Sequence, residues 1–339
     1  MRFILKFGLF LTIILIFTSI LLPPYYGLTF PREPGPITDQ QVRTNHLQYL
    51  EENQPQIVIM GDSTLALGLD PEALAQQTDK SVYSIAIPGS ASALWYLILK
   101  NNIAESSYKP EYVLIVFRDS ILTAPGYRVQ GSYFELVDEY ARRHEPLFIQ
   151  NSFINLMNPL EIAVDKYFPL YVTRTHIRNS IDASIRYFAP SFLGCDENCV
   201  DYSLGEIFLG ADLEPKALVD AVGAAESYIY TPEQLDFEVQ VDRSYLPEMI
   251  SIAQENNIKL VFVRMKVESA NSSTDPQLAG YLESLRAYLK EQNVHLLDYG
   301  EDPRLTHELF RDVIHLNEEG KILFTQMVAD GMKEIFSKK

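Results

Sequence analysis

The sequence predicts an α/β protein in which a central parallel sheet is covered by helices on both faces. Short runs of apolar and β-branched residues, typical of buried parallel strands, recur along the chain. Helical patterns separate most of these runs, as the crossover connections between parallel strands require. The composition of the 339 residues, 47% hydrophobic and 22% charged, is that of a folded globular protein. The most economical arrangement is a flavodoxin-like three-layer α/β/α sandwich.

Five runs are predicted as strands, and helices are predicted between or after them. The strands are QIVIM at 56–60, VYSIAI at 82–87, YVLIVF at 112–117, IKLVFVRM at 258–265 and VHLLDY at 294–299. The helices cover about 70–77, 90–104, 245–256, 276–292 and 317–336. In open parallel sheets, functional residues gather at the carboxyl ends of the strands. The residues that follow each strand are therefore the first candidates for chemistry.

The N-terminal residues 1–24 are predicted to form a signal anchor, a single transmembrane helix. Arg2 and Lys6 accompany an apolar run over 3–22, which approaches the about 20 residues needed to cross a bilayer. No small-x-small cleavage site precedes the prolines that end the run. With the basic residues on the cytoplasmic side, the remaining chain is expected in the periplasm or at the cell surface. A cleaved signal peptide is the alternative, and it leads to the same compartment.

The rest of the chain divides into a linker and one large domain. Residues 25–54, rich in proline, glycine and polar residues, are predicted as a stalk, and 55–339 as the domain itself. Within it, the alternation of strand and helix patterns is interrupted over about 120–243. This stretch carries a helical, aromatic-rich pattern, which predicts a largely helical insertion. This insertion could line an acceptor groove or pack on the membrane, although its aromatic residues are more simply explained as its own small core.

Charge and cysteine content narrow the possible partners. The 45 acidic and 28 basic residues give a net charge of −17, which repels phosphate backbones, so nucleic acid is not an expected partner. Cys195 and Cys199 are predicted to form a local disulfide in an oxidising compartment. The sequence has no G-x-G-x-x-G or Walker-type loop and no His/Asp/Glu cluster at ligand spacing, so neither a cofactor nor a metal is expected.

A serine stands where the first predicted strand ends, in Gly61-Asp62-Ser63. A serine at the start of the helix that follows a central strand can be exposed while its own N–H points at a developing oxyanion. That position suits a nucleophile. On this tripeptide alone, a serine that only caps the helix explains the sequence equally well.

An aspartate and a histidine follow the last predicted strand, in Asp312-Val-Ile-His315. Three residues apart on a turn, the two side chains can face the same side. His315 could then take the proton of Ser63, while Asp312 fixes the tautomer of the imidazole and stabilises the imidazolium. A solvated loop histidine is the alternative.

Together these motifs resemble the blocks of the SGNH (GDSL-like) hydrolases. Gly61-Asp62-Ser63 is similar to the first block, Ala86-Ile-Pro-Gly89 to the second, and Asp312-Val-Ile-His315 to the last, D-x-x-H. The resemblance implies an SGNH-like fold with Ser63 as nucleophile and Asp312 and His315 completing a catalytic triad. It also implies that the N–H of Gly89 helps to form the oxyanion hole.

The third block departs from the family pattern. Where these hydrolases usually carry an asparagine that completes the oxyanion hole, the strand end reads Val-Phe-Arg118-Asp119-Ser. Arg118 could donate in place of the asparagine, or Asp119 could occupy that position and make the hole less favourable. A third interpretation is an ion pair or a helix cap with no catalytic role.

The anchor, the GLDP sequence just after the first block and the large insertion are more similar to the cell-envelope branch of the family. That branch includes teichoic-acid D-alanylation and alginate O-acetylation proteins. The resemblance implies an esterase or O-acyltransferase that acts on acyl esters of a surface glycan or an acyl carrier through an acyl-Ser63 intermediate. The rival hypothesis is a non-catalytic envelope component that binds a glycan or a membrane-bound acyltransferase.

Overall fold

The computed structural model describes residues 2–174, 177, 178, 181, 227–268 and 276–337. The chain separates into two compact units, Met1–Pro36 with Ile154–Leu218 and Ile37–Phe153 with Val219–Lys339. Two of the three breaks lie within the predicted insertion of about 120–243, and the third lies within the predicted stalk of 25–54, so parts of both stretches belong to the sheet-containing unit. The predicted disulfide between Cys195 and Cys199 lies outside the described residues.

The second unit is built on a five-stranded parallel sheet. Its strands are β1 (Ile57–Gly61), β2 (Val82–Ala86), β3 (Tyr112–Phe117), β4 (Lys259–Arg264) and β5 (His295–Asp298), in the order β2-β1-β3-β4-β5. Every residue of β1 and β3 is buried, which requires cover on both faces of the sheet. This topology confirms the predicted three-layer α/β fold class.

Helices form wherever local capping and an apolar face agree. In the second helix after β1, for example, Asp70 accepts hydrogen bonds from the N–H groups of Glu72 and Ala73, and Pro71 takes the first helical position. The helices of the second unit are α2 (Asn45–Asn53), α3 (Ser63–Gly68), α4 (Pro71–Thr78), α5 (Ser92–Ile98), α6 (Ser132–Asp138), α7 (Pro146–Ser152), α9 (Phe237–Gln240), α10 (Leu246–Glu255), α11 (Pro276–Glu291) and α12 (Glu318–Ser337).

The C-terminal helix α12 covers one face of the sheet beside α3 and α4. Its residues Phe324, Val328 and Met332 are fully buried in a cluster with alternate residues of β1 and β3. Burial of this apolar surface, at roughly 25 cal/mol per Å², is the main source of stability for the layer. The cluster fixes α12, and therefore also the turn that precedes it, against the carboxyl ends of the central strands.

The first unit contains the N-terminal helix α1 (Arg2–Tyr25) and the helix α8 (Pro159–Tyr167). Among the described residues, α1 is the one helix that is long and apolar enough to cross a membrane. None of its side chains is buried. By length and composition, α1 therefore suits either a membrane anchor or a signal sequence.

The buried imidazole of His46, in α2, makes the stability of the fold depend on pH. Its ring stacks against Tyr140, and its two nitrogens lie 2.8 Å from the Tyr83 hydroxyl and 3.1 Å from the Tyr140 hydroxyl. Burial, assisted by the nearby charge of Arg43, lowers the pKa of His46 from 6.5 to about 4. The unfolded chain therefore takes up this proton first as the pH falls, so the folded state loses stability between about pH 6.5 and pH 4.

We expect that loss to reach about 3 kcal/mol in the free energy of unfolding. Urea denaturation of wild type and His46→Gln at pH 7 and pH 4.5 measures it, since the difference between the two proteins removes the contribution of the carboxylates. The wild type should lose more stability on acidification than the variant. Equal losses in both proteins would show that His46 does not titrate as its surroundings require.

Candidate functional site

Ser63 lies at the carboxyl end of β1, as the first residue of α3. The preceding Asp62 is buried and caps the helix: its Oδ1 accepts hydrogen bonds from the N–H of Thr64 at 2.8 Å and from the Thr64 hydroxyl at 2.7 Å. Because Asp62 caps the helix, the hydroxyl of Ser63 is not needed for that purpose. Ser63 itself is partly exposed and is available for chemistry.

The structure brings Ser63, His315 and Asp312 together. His315 Nε2 lies 2.8 Å from Ser63 Oγ, although the two residues are 252 positions apart in the chain. On the other side of the ring, His315 Nδ1 lies 2.9 Å from Asp312 Oδ2 and 3.0 Å from Oδ1. These distances are those of a nucleophile, a base and a carboxylate that orients the base.

The turn that carries Asp312 and His315 is held by its own hydrogen bonds. Asp312 Oδ1 accepts from the N–H groups of Ile314 at 3.0 Å and His315 at 2.9 Å. The N–H of Glu268, after β4, donates to the carbonyl of Val313 at 2.8 Å. Burial raises the pKa of Asp312, but the hydrogen bonds from Ile314 and His315 outweigh it and bring the pKa below its ordinary value. The carboxylate is therefore ionised where it faces the imidazole.

Gly89 lies in a tight turn beside the serine. The turn is closed by a 3.0 Å hydrogen bond from the N–H of Ser90 to the carbonyl of Ile87, and Gly89 has φ +79°, as the third residue of a type II turn requires. Ile87 N–H and Ser90 Oγ both donate to the carbonyl of Gly61, two residues before Ser63, at 3.0 and 3.1 Å. The turn is thus fixed to the strand end that presents the nucleophile.

Two backbone donors remain available at this edge of the sheet. In the part of the chain that the structure describes, neither the N–H of Ser63 nor that of Gly89 has a hydrogen-bond partner. Backbone N–H groups that are fixed before a substrate arrives can stabilise the oxyanion of an acyl-transfer intermediate. The predicted roles of Ser63 and Gly89 are therefore compatible with the geometry.

Asp119 forms the ion pair that is one of the alternatives for the altered third block. Its side chain is 0% exposed; Oδ1 accepts from Arg264 Nη2 at 2.9 Å and Oδ2 from the Tyr230 hydroxyl at 2.5 Å. Arg264 also reaches Asp298 at 3.2 Å. A carboxylate with no exposed surface and both oxygens engaged favours the ion-pair interpretation of Asp119 over a contact with substrate.

Arg118 is also buried, with its Nε 3.8 Å from Asp62 Oδ2. The guanidinium therefore lies behind the helix cap that positions Ser63, at the end of the neighbouring strand β3. Its positive charge offsets the buried carboxylate of Asp62. These contacts favour a supporting position for Arg118 over one in the open site.

Arg128 and Tyr133 were not indicated by the sequence, yet they lie against Gly89. A Cβ added to Gly89 would be 2.7 Å from the Tyr133 ring and 3.4 Å from Arg128 Nη1. The Arg128 guanidinium lies 5.1 and 5.3 Å from the ring centroids of Tyr127 and Tyr133. No sequence motif marks these residues: Arg128 lies in the loop before α6 and Tyr133 in the first turn of α6, about 40 positions beyond Gly89.

Replacing Gly89 with alanine is expected to lower ester turnover by about 10- to 100-fold, because both the positive φ and the Tyr133 contact oppose a Cβ and displace the N–H donor. Gly131→Ala is the matched control: it shares a positive φ, +65°, but its Cβ meets nothing within 4 Å. Steady-state kinetics of both variants test this. A Gly89→Ala enzyme as active as Gly131→Ala would remove Gly89 from the site.

The described residues contain no group of three or more His, Cys, Asp or Glu side chains that could hold a metal ion. The groups that the structure brings together at this edge are the serine, the imidazole, the carboxylate and the backbone donors. Such a set can form and break an acyl-serine ester.

No protein-family model and no curated protein sequence matches the chain. Among solved structures, the chain is similar to a protein assigned as an acylhydrolase from Bacteroides fragilis, with 12% identity, a TM-score of 0.39, and coverage of 86% of this chain and 99% of that chain. It is also similar to a GDSL-like lipase from Bacteroides thetaiotaomicron, with 12% identity, a TM-score of 0.37 and coverage of 86% and 98%. A psychrotrophic esterase from Pseudoalteromonas sp. matches with 14% identity, a TM-score of 0.37 and coverage of 83% and 98%.

Proposed function

We propose that this chain is a membrane-anchored serine esterase or O-acyltransferase of the SGNH type, with Ser63 as its nucleophile. The observation that carries the proposal is the continuous relay from Ser63 Oγ through the His315 ring to the Asp312 carboxylate, with distances of 2.8 and 2.9 Å. A serine that served only as a helix cap would need no imidazole at hydrogen-bond distance, because Asp62 already caps the helix. The completeness of the relay weighs against the non-catalytic alternative.

The proposed reaction begins when His315 Nε2 takes the proton of Ser63 as Oγ attacks an ester carbonyl. The carbonyl oxygen becomes an oxyanion, which the N–H groups of Ser63 and Gly89 stabilise by donating hydrogen bonds to it. Collapse of this intermediate breaks the ester C–O bond. The leaving alkoxide takes a proton from the His315 imidazolium and departs as an alcohol. Asp312 stabilises the imidazolium between these two transfers. The product of this half-reaction is an acyl-Ser63 ester.

The second half-reaction repeats these steps with a different nucleophile. His315 deprotonates either water or the hydroxyl of a glycan, which attacks the acyl-Ser63 carbonyl and releases the serine. Water gives hydrolysis and a sugar hydroxyl gives acyl transfer. The same residues serve both outcomes, so the acceptor that reaches the acyl-enzyme decides between them.

The proposed location is the outer face of a membrane, in the periplasm or at the cell surface, with α1 as the anchor. The length and composition of α1 and the basic residues near its start support this orientation. An acyl ester on a surface glycan or an acyl carrier is the proposed substrate, supported by the resemblance of the sequence motifs to cell-envelope proteins. A membrane-bound acyltransferase is the proposed partner if the chain transfers acyl groups.

Turnover of p-nitrophenyl acetate by the full-length protein in detergent tests the proposal. We expect an initial burst of about one nitrophenolate per chain, followed by slower turnover, because the acyl-enzyme accumulates. Ser63→Ala should abolish the burst while leaving the midpoint of thermal unfolding within about 2 °C of wild type. Turnover that persists unchanged in a folded Ser63→Ala protein would reject the acyl-Ser63 mechanism.

A further inference from the structure

Helix α8 carries three of its apolar residues on its outer face, while Ile162 and Val164 are half-buried. Leu160 and Tyr167 are 72% and 63% exposed, and Ala163 between them is exposed as well. The spacing of these residues, i, i+3 and i+7, places them along one face of the helix. The charged Asp165 is the buried residue of α8. A helix that packs on a protein core in water has the opposite polarity, so the outer face of α8 is built for an apolar environment.

The inner side of α8 is tied to the segment that follows the N-terminal helix. Asp165 Oδ2 accepts hydrogen bonds from Arg32 Nη1 at 2.8 Å and from the N–H of Gly35 at 2.9 Å. The N–H of Arg32 donates to the carbonyl of Lys166 at 3.1 Å. Arg32 and Asp165 are both largely buried, so this ion pair is a fixed connection and not a surface contact.

This connection keeps α8 close to the end of α1. Arg32 follows Tyr25, the last residue of α1, by seven positions. Seven residues of fully extended chain span at most about 25 Å. The polar headgroup layer on one side of a bilayer is about 5–8 Å thick. If α1 spans the membrane, α8 is held within reach of the leaflet in which α1 ends.

The chain just after α8 carries exposed basic residues, which are of the type that binds lipid headgroups. Arg174 and Arg178, which follow α8, are exposed, and Lys166 adds a third positive charge in a chain whose net charge is −17. Basic side chains next to an apolar helical face favour the surface of anionic lipids. Tyr167 is of the amphipathic aromatic type that is enriched at membrane interfaces.

We propose that α8 is a second membrane contact, in which the face formed by Leu156, Leu160, Ala163 and Tyr167 lies in the interface of the leaflet where α1 ends. Leu156, in the turn before α8, is 47% exposed and extends the apolar face. The contact depends on the anchor of the proposed function but not on its chemistry. The contact of α8 would fix the orientation of the first unit on the bilayer, whereas α1 alone would leave that unit free to tilt.

Depth-dependent quenching of tryptophan fluorescence tests this contact in the full-length protein. Leu160→Trp is reconstituted into phosphatidylcholine/phosphatidylglycerol vesicles, with or without brominated acyl chains. The native Trp95 is buried, and its signal in the wild type is subtracted. Ile322→Trp is the matched control, since Ile322 is 70% exposed on a helix of the other unit. Tyr167→Trp provides a second reporter on the same face if Leu160→Trp folds poorly.

We expect brominated lipid to reduce the added emission at residues 160 and 167 by at least about half, with little change at residue 322. Flotation of the vesicles and ester turnover are measured on the same samples. A protein that does not float with the vesicles refutes the anchor and this contact together, while turnover reports separately on the catalytic proposal. A protein that floats but shows no more quenching at residues 160 and 167 than at 322 overturns the contact and assigns the face to a protein partner or a second copy.

Discussion

An Asp312→Asn variant is expected to turn over ester substrates about 10⁴-fold more slowly than wild type. Asp312 Oδ2 lies 2.9 Å from His315 Nδ1 and accepts its hydrogen, which leaves Nε2 free to accept the Ser63 proton. An asparagine at this position keeps the shape but can donate an amide hydrogen to Nδ1, which favours the wrong tautomer. It also cannot stabilise the imidazolium. Steady-state turnover of p-nitrophenyl acetate measures the effect.

Asp302→Asn is the matched control for this prediction. Asp302 lies ten positions earlier in the same segment and pairs with the exposed Arg304 at 2.7 Å, away from the relay. Its replacement should leave turnover within about twofold, because exposed ion pairs contribute little. If Asp312→Asn retained more than about a tenth of wild-type turnover, the carboxylate would not orient the base as proposed.

Replacing Arg264 with leucine is expected to lower the free energy of unfolding by about 3–5 kcal/mol. Arg264 is 2% exposed and pairs with Asp119, which is 0% exposed. Without the guanidinium, the buried Asp119 carboxylate keeps the Tyr230 hydroxyl but loses its countercharge. Asp298 is less affected, because Arg286 binds it at 2.6 Å. Chemical denaturation measures the loss.

Two further variants separate the buried charge from a general packing defect. The double variant Arg264→Leu with Asp119→Asn removes both charges and should recover at least about half of the lost stability. Arg304→Leu breaks the exposed pair with Asp302 and should cost less than about 1 kcal/mol. A loss below about 1 kcal/mol for Arg264→Leu alone would show that this ion pair does not stabilise the sheet edge.

The fold could be predicted because the strands carry an unusually clear signal. The sequence predicts β1 at 56–60 and the strand lies at Ile57–Gly61, since a β-branched run buried on both faces has few alternatives. The helix predicted over 90–104 is less regular: α5 ends at Ile98 and continues as a π-helical segment, Leu99–Ile103. Periodicity alone does not distinguish such a segment from an α-helix, because the difference depends on packing with other elements.

The candidate site was predictable where a residue directly follows a strand or stands in a short motif. Ser63, Asp312 and His315 meet both conditions, and the structure places them within hydrogen-bond distance. The partners of Asp119 were not predictable, because Tyr230 is 111 positions away and Arg264 is 145 positions away. One signal was present: a charged residue within the apolar run of β4 points to a buried countercharge.

The most direct test of the central claim, that His315 activates Ser63, is to locate the adduct formed with a fluorophosphonate. The full-length protein is labelled, digested and analysed by peptide mass spectrometry, in wild type and in His315→Ala. We predict a single phosphonylated residue, Ser63, in the wild type, and labelling that is slower by about 10³-fold or more in His315→Ala. An adduct on a different residue, or equal labelling rates in the two proteins, would contradict the account.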